Sequence, residues 1–137
     1  MTASPRRAVR RAASAAAGLA VALALAPPPA AAATPLDGAW TVDLSTDPAE
    51  PYFKPMTLTI NPDGTASGAF YDSAIEAGRW KAAKGRLCVS FRTTDGRGPY
   101  HTSACLVGGA VQGQTWAEHR RFLFLWTAAR ATTAPPP

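Results

Sequence analysis

The sequence is poor in the residues from which most active sites are assembled. It holds two histidines, His101 and His119, and two cysteines, Cys88 and Cys105. Neither histidine has a Ser, Cys or Asp arranged as a nucleophile's partner. No His or carboxylate sits at metal-ligand spacing from the cysteines. These scarcities argue against an enzyme. No catalytic residue, no metal and no cofactor are expected, both histidines read as surface residues, and heme or metal ligation by either has no support. A sustained 3.6-residue apolar period is also missing, which leaves no amphipathic helix to build on.

Acidic residues are absent from positions 1–33, where four arginines precede the uncharged run 12–26, then Pro27-Pro28-Pro29 and four alanines. A basic segment, a short apolar core and an A-x-A site make a secretory signal peptide. Cleavage is expected after Ala33, because Pro27 disfavours it after Ala26. Paired arginines suggest twin-arginine export, and the Sec route fits as well. A retained anchor would need about 20 apolar residues to span a bilayer, and the prolines end this run early. No cysteine lies near the cleavage site, which excludes a lipoprotein anchor. The expected location is therefore secreted or periplasmic, without stable membrane insertion. Beyond the leader the chain carries ten Lys/Arg and nine Asp/Glu. The basic balance belongs to the leader and is no nucleic-acid footprint. Residues 34–131 suit one small domain, and 132–137 a disordered Pro-rich tail.

The stretch Arg86–Leu106 organises that domain. Asp95-Gly96-Arg97-Gly98 is a tight-turn signal with Gly available for positive φ at the first central position. With Gly96-Arg97 at the tip, Leu87 faces Leu106, Val89 faces Ala104, Phe91 faces Thr102 and Thr93 faces Tyr100. The other side carries Cys88 opposite Cys105, Ser90 opposite Ser103 and Arg92 opposite His101. One face is apolar and one polar, as a half-buried antiparallel pair requires. Counting back from an Asp95–Gly98 closing pair puts the cysteines on a non-hydrogen-bonded pair, where Cα atoms approach to about 4.5 Å. Export to an oxidising compartment makes a Cys88–Cys105 disulfide the expected state, with two free thiols or half a metal site as alternatives.

Short strand-like segments separated by turn signals fill the rest. Ala39–Ser45 alternates, Asp47–Pro55 reads as a loop, and Met56–Ile60 alternates again. A three-residue loop at Pro62–Gly64 puts Met56, Leu58, Ile60, Ala66, Gly68 and Phe70 on one side. Ile75–Lys81, the central hairpin, Val111–Trp116 and Phe122–Ala129 follow. About eight antiparallel strands in meander order make an all-β, up-and-down barrel; a sandwich of two small sheets is the competing architecture.

Gly38-Ala39-Trp40 opens the first strand as the G-x-W motif opens lipocalins and avidins, and Arg130 follows the last strand, where lipocalin-like barrels place an arginine over that tryptophan. Asp63-Gly64-x-x-x-Gly68-x-Phe70-Tyr71 resembles the second hairpin of the avidin group. The chain thus resembles a small calycin-type, lipocalin-like barrel, which implies an eight-stranded cup and structural roles for Trp40 and Arg130. It lacks a C-terminal helix and the later polar and tryptophan motifs with which avidins hold biotin, so biotin binding is not implied.

Pairing Trp80 with Leu87 would turn Trp80, Gly78 and Glu76 inward, and an inward carboxylate is a candidate ligand anchor; a shift by one residue would bring in Arg79 instead. The inner face then gathers Trp40, Met56, Leu58, Phe70, Phe91, Tyr100, Thr102 and Trp126. Either these side chains fill the barrel, or small neighbours (Gly68, Gly78, Ala104, Gly113) leave a pocket near Tyr100 and Phe70. The first expectation is a barrel that binds a small apolar or aromatic ligand, lined by Met56, Phe70, Glu76, Phe91, Tyr100 and Thr102. The second is a protein-binding module such as a secreted protease inhibitor, reaching its target through Asp47–Pro55 and Gly96–Pro99. Phe122–Trp126 is apolar on both faces. It reads as a self-association or partner surface, or as a strand covered on both sides.

Overall fold

The computed structural model describes residues 12–18, 20–25 and 34–132. The chain divides into two units, residues 1–30 and residues 31–137. In the first, the described residues carry no regular secondary structure. Among the described residues no helix is long and apolar enough to cross a membrane. The expected cleavage site and all of the tail beyond Thr132 lie outside the described residues.

The second unit is a closed antiparallel barrel. Its strands are β1 (Gly38–Asp43), β2 (Phe53–Ile60), β3 (Thr65–Phe70), β4 (Ser73–Ala74), β5 (Glu76–Ala83), β6 (Arg86–Thr94), β7 (Pro99–Val107), β8 (Ala110–Ala117) and β9 (Phe122–Arg130). A 3₁₀ turn, Glu118–Arg120, joins β8 to β9. Eight strands form the ring, because β1 pairs with both β2 and β9 and the sheet closes without a free edge; β4 is a two-residue spur on β3. Closure removes the unpaired backbone rows that make open sheets prone to edge-to-edge association.

The central hairpin has the register that its alternation dictates. Val89 pairs with Ala104, Phe91 with Thr102 and Thr93 with Tyr100, while Cys88 meets Cys105 on the other face. Those cysteines form a disulfide with Cα atoms 4.0 Å apart, which fits an oxidising compartment. The three-residue turn at Pro62–Gly64 also holds: Met56 pairs with Phe70, Leu58 with Gly68 and Ile60 with Ala66. Side chains turned inward from all strands make the core, with Trp40, Val42, Met56, Val89, Val111 and Trp126 each at most 4% exposed.

One end of the barrel is shut. The Trp40 indole donates to the Leu36 carbonyl at 3.0 Å, and the Arg130 guanidinium stacks 4.1 Å from the Trp40 ring centroid. Arg130 also donates to the carbonyls of Asp37 and Pro35. The Asp37 carboxylate takes the amides of Thr34 at 2.8 Å and Ile60 at 2.7 Å. Segment 34–37 is thereby strapped across the base, with Leu36 fully buried as the plug.

Several expectations are corrected. β2 begins at Phe53, inside the segment read as a loop, because Pro55 tolerates a strand site opposite Thr41. The turn before β6 is the two-residue Lys84-Gly85, both at positive φ (+54° and +71°), so Trp80 pairs with Val89 and not Leu87. Glu76 does not point inward. Glu76 pairs with Arg92 and Arg79 with Ser90, leaving Ala77 and Gly78 against Phe91 alone, a bulge at which Ala77 takes a φ of +50°. The extra residue reverses the in–out parity. Gly78 and Trp80 stay with the core while Glu76 goes outside, where its carboxylate meets Arg92 at 3.0 Å with both side chains about half exposed. An exposed pair of this kind contributes little, and the Glu76 carboxylate is not turned into the barrel as expected.

The small residues do not open a pocket by themselves. A Cβ on Gly113 would stand 2.3 Å from the Trp126 ring, and one on Gly68 would stand 2.1 Å from the Thr57 carbonyl. These sites are filled by close approach of their neighbours. On the outer surface Trp116, Leu123 and Leu125 are exposed, so among the described residues that side of β9 is uncovered.

Candidate ligand site

At the end opposite Trp40 the barrel is open, and a cavity of about 310 Å³ lies there. Aromatic and polar residues share its wall: Phe70, Tyr100 and Phe124 face it, with Tyr52 and Tyr71 at the rim, Leu44 beside them, and Thr93, Thr94 and Ser73 among the polar groups. Phe70 is held by Phe91 at a centroid distance of 6.1 Å and by Trp126 at 5.4 Å. Tyr100 packs between Phe124 at 6.4 Å and the His119 ring at 5.1 Å. The space and the apolar lining are in the range of small-molecule sites.

Polar groups lie at two depths. At the floor, the Trp126 indole donates to Thr115 Oγ1 at 3.0 Å and the hydroxyls of Thr115 and Thr102 meet at 2.9 Å. At the rim, Asp95 gathers donors. Its Oδ1 takes the amides of Arg97 at 2.8 Å and Gly98 at 3.3 Å, and its Oδ2 takes the Tyr100 hydroxyl at 2.8 Å and Arg120 Nη2 at 3.1 Å. His119 Nε2 stands 3.6 Å from the same oxygen. The β6–β7 loop is therefore closed by the Asp95 side chain, not by the backbone pair expected between Asp95 and Gly98.

Electrostatics follow this wiring. The Arg97 amide, the Tyr100 hydroxyl, the Gly98 amide and the nearby His119 hold the Asp95 carboxyl well below the usual carboxylate range. Burial, and then donation to Asp95, push the Tyr100 phenol up. The Tyr71 phenol is raised chiefly by its hydrogen bond with Tyr52. Lys54 lies over the Tyr71 ring, 4.8 Å from its centroid, and pairs with Asp72 at 3.9 Å.

Because the folded-state pKa of Asp95 lies below its unfolded value, its contribution is complete above the ordinary carboxylate range and is lost only as pH falls through the folded value. The carboxyl ¹³C shift of Asp95 is accordingly expected to stay flat as pH falls through the ordinary carboxylate range. A midpoint near the model-peptide value would mean that the rim cluster does not hold in solution.

Of the residues expected to line the site, Phe70 and Tyr100 do so. Met56 and Phe91 are packed in the core at 1% and 4% exposure, Thr102 stands behind Thr115, and Glu76 is on the outside. His101 is exposed opposite Arg92, as expected. Sequence reasoning missed Thr115, Phe124, Asp95 and Arg120. Thr115 was within reach, since it lies two residues beyond the inward Gly113. Arg120 was not, because its position depends on the 3₁₀ turn. Comparison of the chain with protein-family models, with curated proteins and with solved structures returns no match.

Proposed function

We propose that the protein is an exported, lipocalin-like carrier that holds a small aromatic ligand in the open mouth of its barrel, by binding and without catalysis. The observation that supports this most is one cavity with aromatic walls and polar groups converging at floor and rim. The shut base makes the mouth the way in. A protease-inhibitor role through Asp47–Pro55 and Gly96–Pro99 has less behind it, since the second of these loops is folded onto the Asp95 carboxylate by the Arg97 and Gly98 amides.

The test is titration with the uncharged dye N-phenylnaphthylamine, together with native mass spectrometry of the purified protein to detect a retained small molecule. One dye per barrel is expected. Phe124→Ala should weaken it about tenfold, the effect of losing one buried aromatic contact, whereas Leu125→Ser on the outer face should leave it unchanged. Absence of dye binding, or equal affinity in Phe124→Ala, would overturn the reading.

A further inference from the structure

We propose that the mouth selects a flat aromatic ligand bearing hydrogen-bond acceptors at both ends: an uncharged oxygen or ring nitrogen at the buried end and a carboxylate at the outer end. This rests on the carrier reading above and names its ligand class.

The buried end follows from proton accounting. An indole N–H can only donate, so the 3.0 Å contact from Trp126 makes Thr115 Oγ1 an acceptor. Between the Thr115 and Thr102 hydroxyls, 2.9 Å apart, either proton fits the geometry. Thr102 is only 2% exposed. If Thr115 donated, the Thr102 proton would be left buried without an acceptor, which is costly. Thr102 therefore donates, Thr115 accepts twice, and the Thr115 proton is left for the cavity that Thr115 lines. The floor offers a donor and asks for an acceptor.

The outer end follows from charge. Asp95 is the carboxylate of the lining, and four donors already occupy its two oxygens. It has little left for a ligand cation. Arg120 gives one Nη2 proton to Asp95 and lies over the Tyr100 ring, 5.7 Å from its centroid, with its side chain half exposed. A guanidinium has five N–H groups in a planar fork that suits a carboxylate, and among the described residues only its Nη2 contact with Asp95 meets hydrogen-bond geometry. Between the two levels Phe70, Tyr100 and Phe124 supply the apolar contact surface that an aromatic ring would meet.

Isothermal titration of the full barrel with three matched probes tests this. The probes are a methoxynaphthoate, the ethylnaphthoate with the same substitution pattern, and the corresponding methoxynaphthyl methylammonium. The methoxynaphthoate is expected to bind about tenfold tighter than either of the others, the usual scale of one desolvated hydrogen bond or ion pair. Thr115→Val should erase the preference for methoxy over ethyl, and Thr115→Ser should restore it. Arg120→Gln should erase the preference for carboxylate over ammonium while leaving methoxy over ethyl intact. Equal affinities for the three probes, or tighter ammonium binding, overturn the proposal. If N-phenylnaphthylamine still binds in that case, the carrier reading stands without it. Failure of all four molecules to bind overturns both.

Discussion

Trp40→Ala is expected to destabilise the barrel by about 3–5 kcal/mol, the usual cost of deleting a buried aromatic ring. Trp40 is 1% exposed, and three features of the shut end converge on it. Its indole caps the Leu36 carbonyl, its face carries the Arg130 guanidinium, and its strand partner is Met56. Truncation leaves a void at the base and frees segment 34–37, so Leu36 loses its seat as well. Urea melts of the variant check the size of the effect. Arg130→Gln provides the comparison, since it removes the cation and leaves the ring, for a loss of about 1–2 kcal/mol. Equal midpoints for wild type and Trp40→Ala would mean that the base is held by something other than this stack.

The second large effect concerns the disulfide. Cys88 and Cys105, 17 positions apart in the sequence, are cross-linked at a point where the hairpin ladder already brings them together. Removing the cross-link lets the unfolded chain expand, which by the chain-entropy account lowers stability by about 3 kcal/mol. A Cys88→Ala/Cys105→Ala protein should keep its β-sheet circular dichroism and melt roughly 15 °C lower. Unchanged melting would show that the hairpin is equally restrained when unfolded. Complete loss of the sheet signal would make the bond a condition of folding, beyond its expected role as a brace.

Both effects arise from features that were legible in the chain, and the reason is local. Alternation along Leu87–Thr93 and Tyr100–Leu106 admits one register without mixing apolar and polar faces, so cysteine pairing followed directly. Turn spacing pointed to about eight strands in meander order and left a barrel and a two-sheet sandwich open, while Trp40 beneath Arg130 was expected from the resemblance to lipocalin-like barrels. The site was less legible because it depends on departures from regularity. One additional residue at Ala77 reverses which side Glu76 faces, and the one signal for it, a glycine inside the strand at Gly78, was read only as a small inward residue. Asp95 looked like a turn residue and is one. Its second oxygen, however, reaches Tyr100 and Arg120 from a different connection, and that meeting exists only once the ring has closed. Alternation could mark Phe124 and Thr115 as inward, being in phase with the core, but it could not separate wall from filling.

The protein contains four tryptophans, and their placement makes it its own optical gauge. Trp40 is sealed in the base, Trp80 donates to the Asn61 carbonyl, and Trp116 faces outward. Trp126 alone is tethered through its N–H to a residue of the pocket floor. A guest that draws on the Thr115 hydroxyl alters the polarisation of that tether, so occupancy should register as a shift in indole emission without any added label.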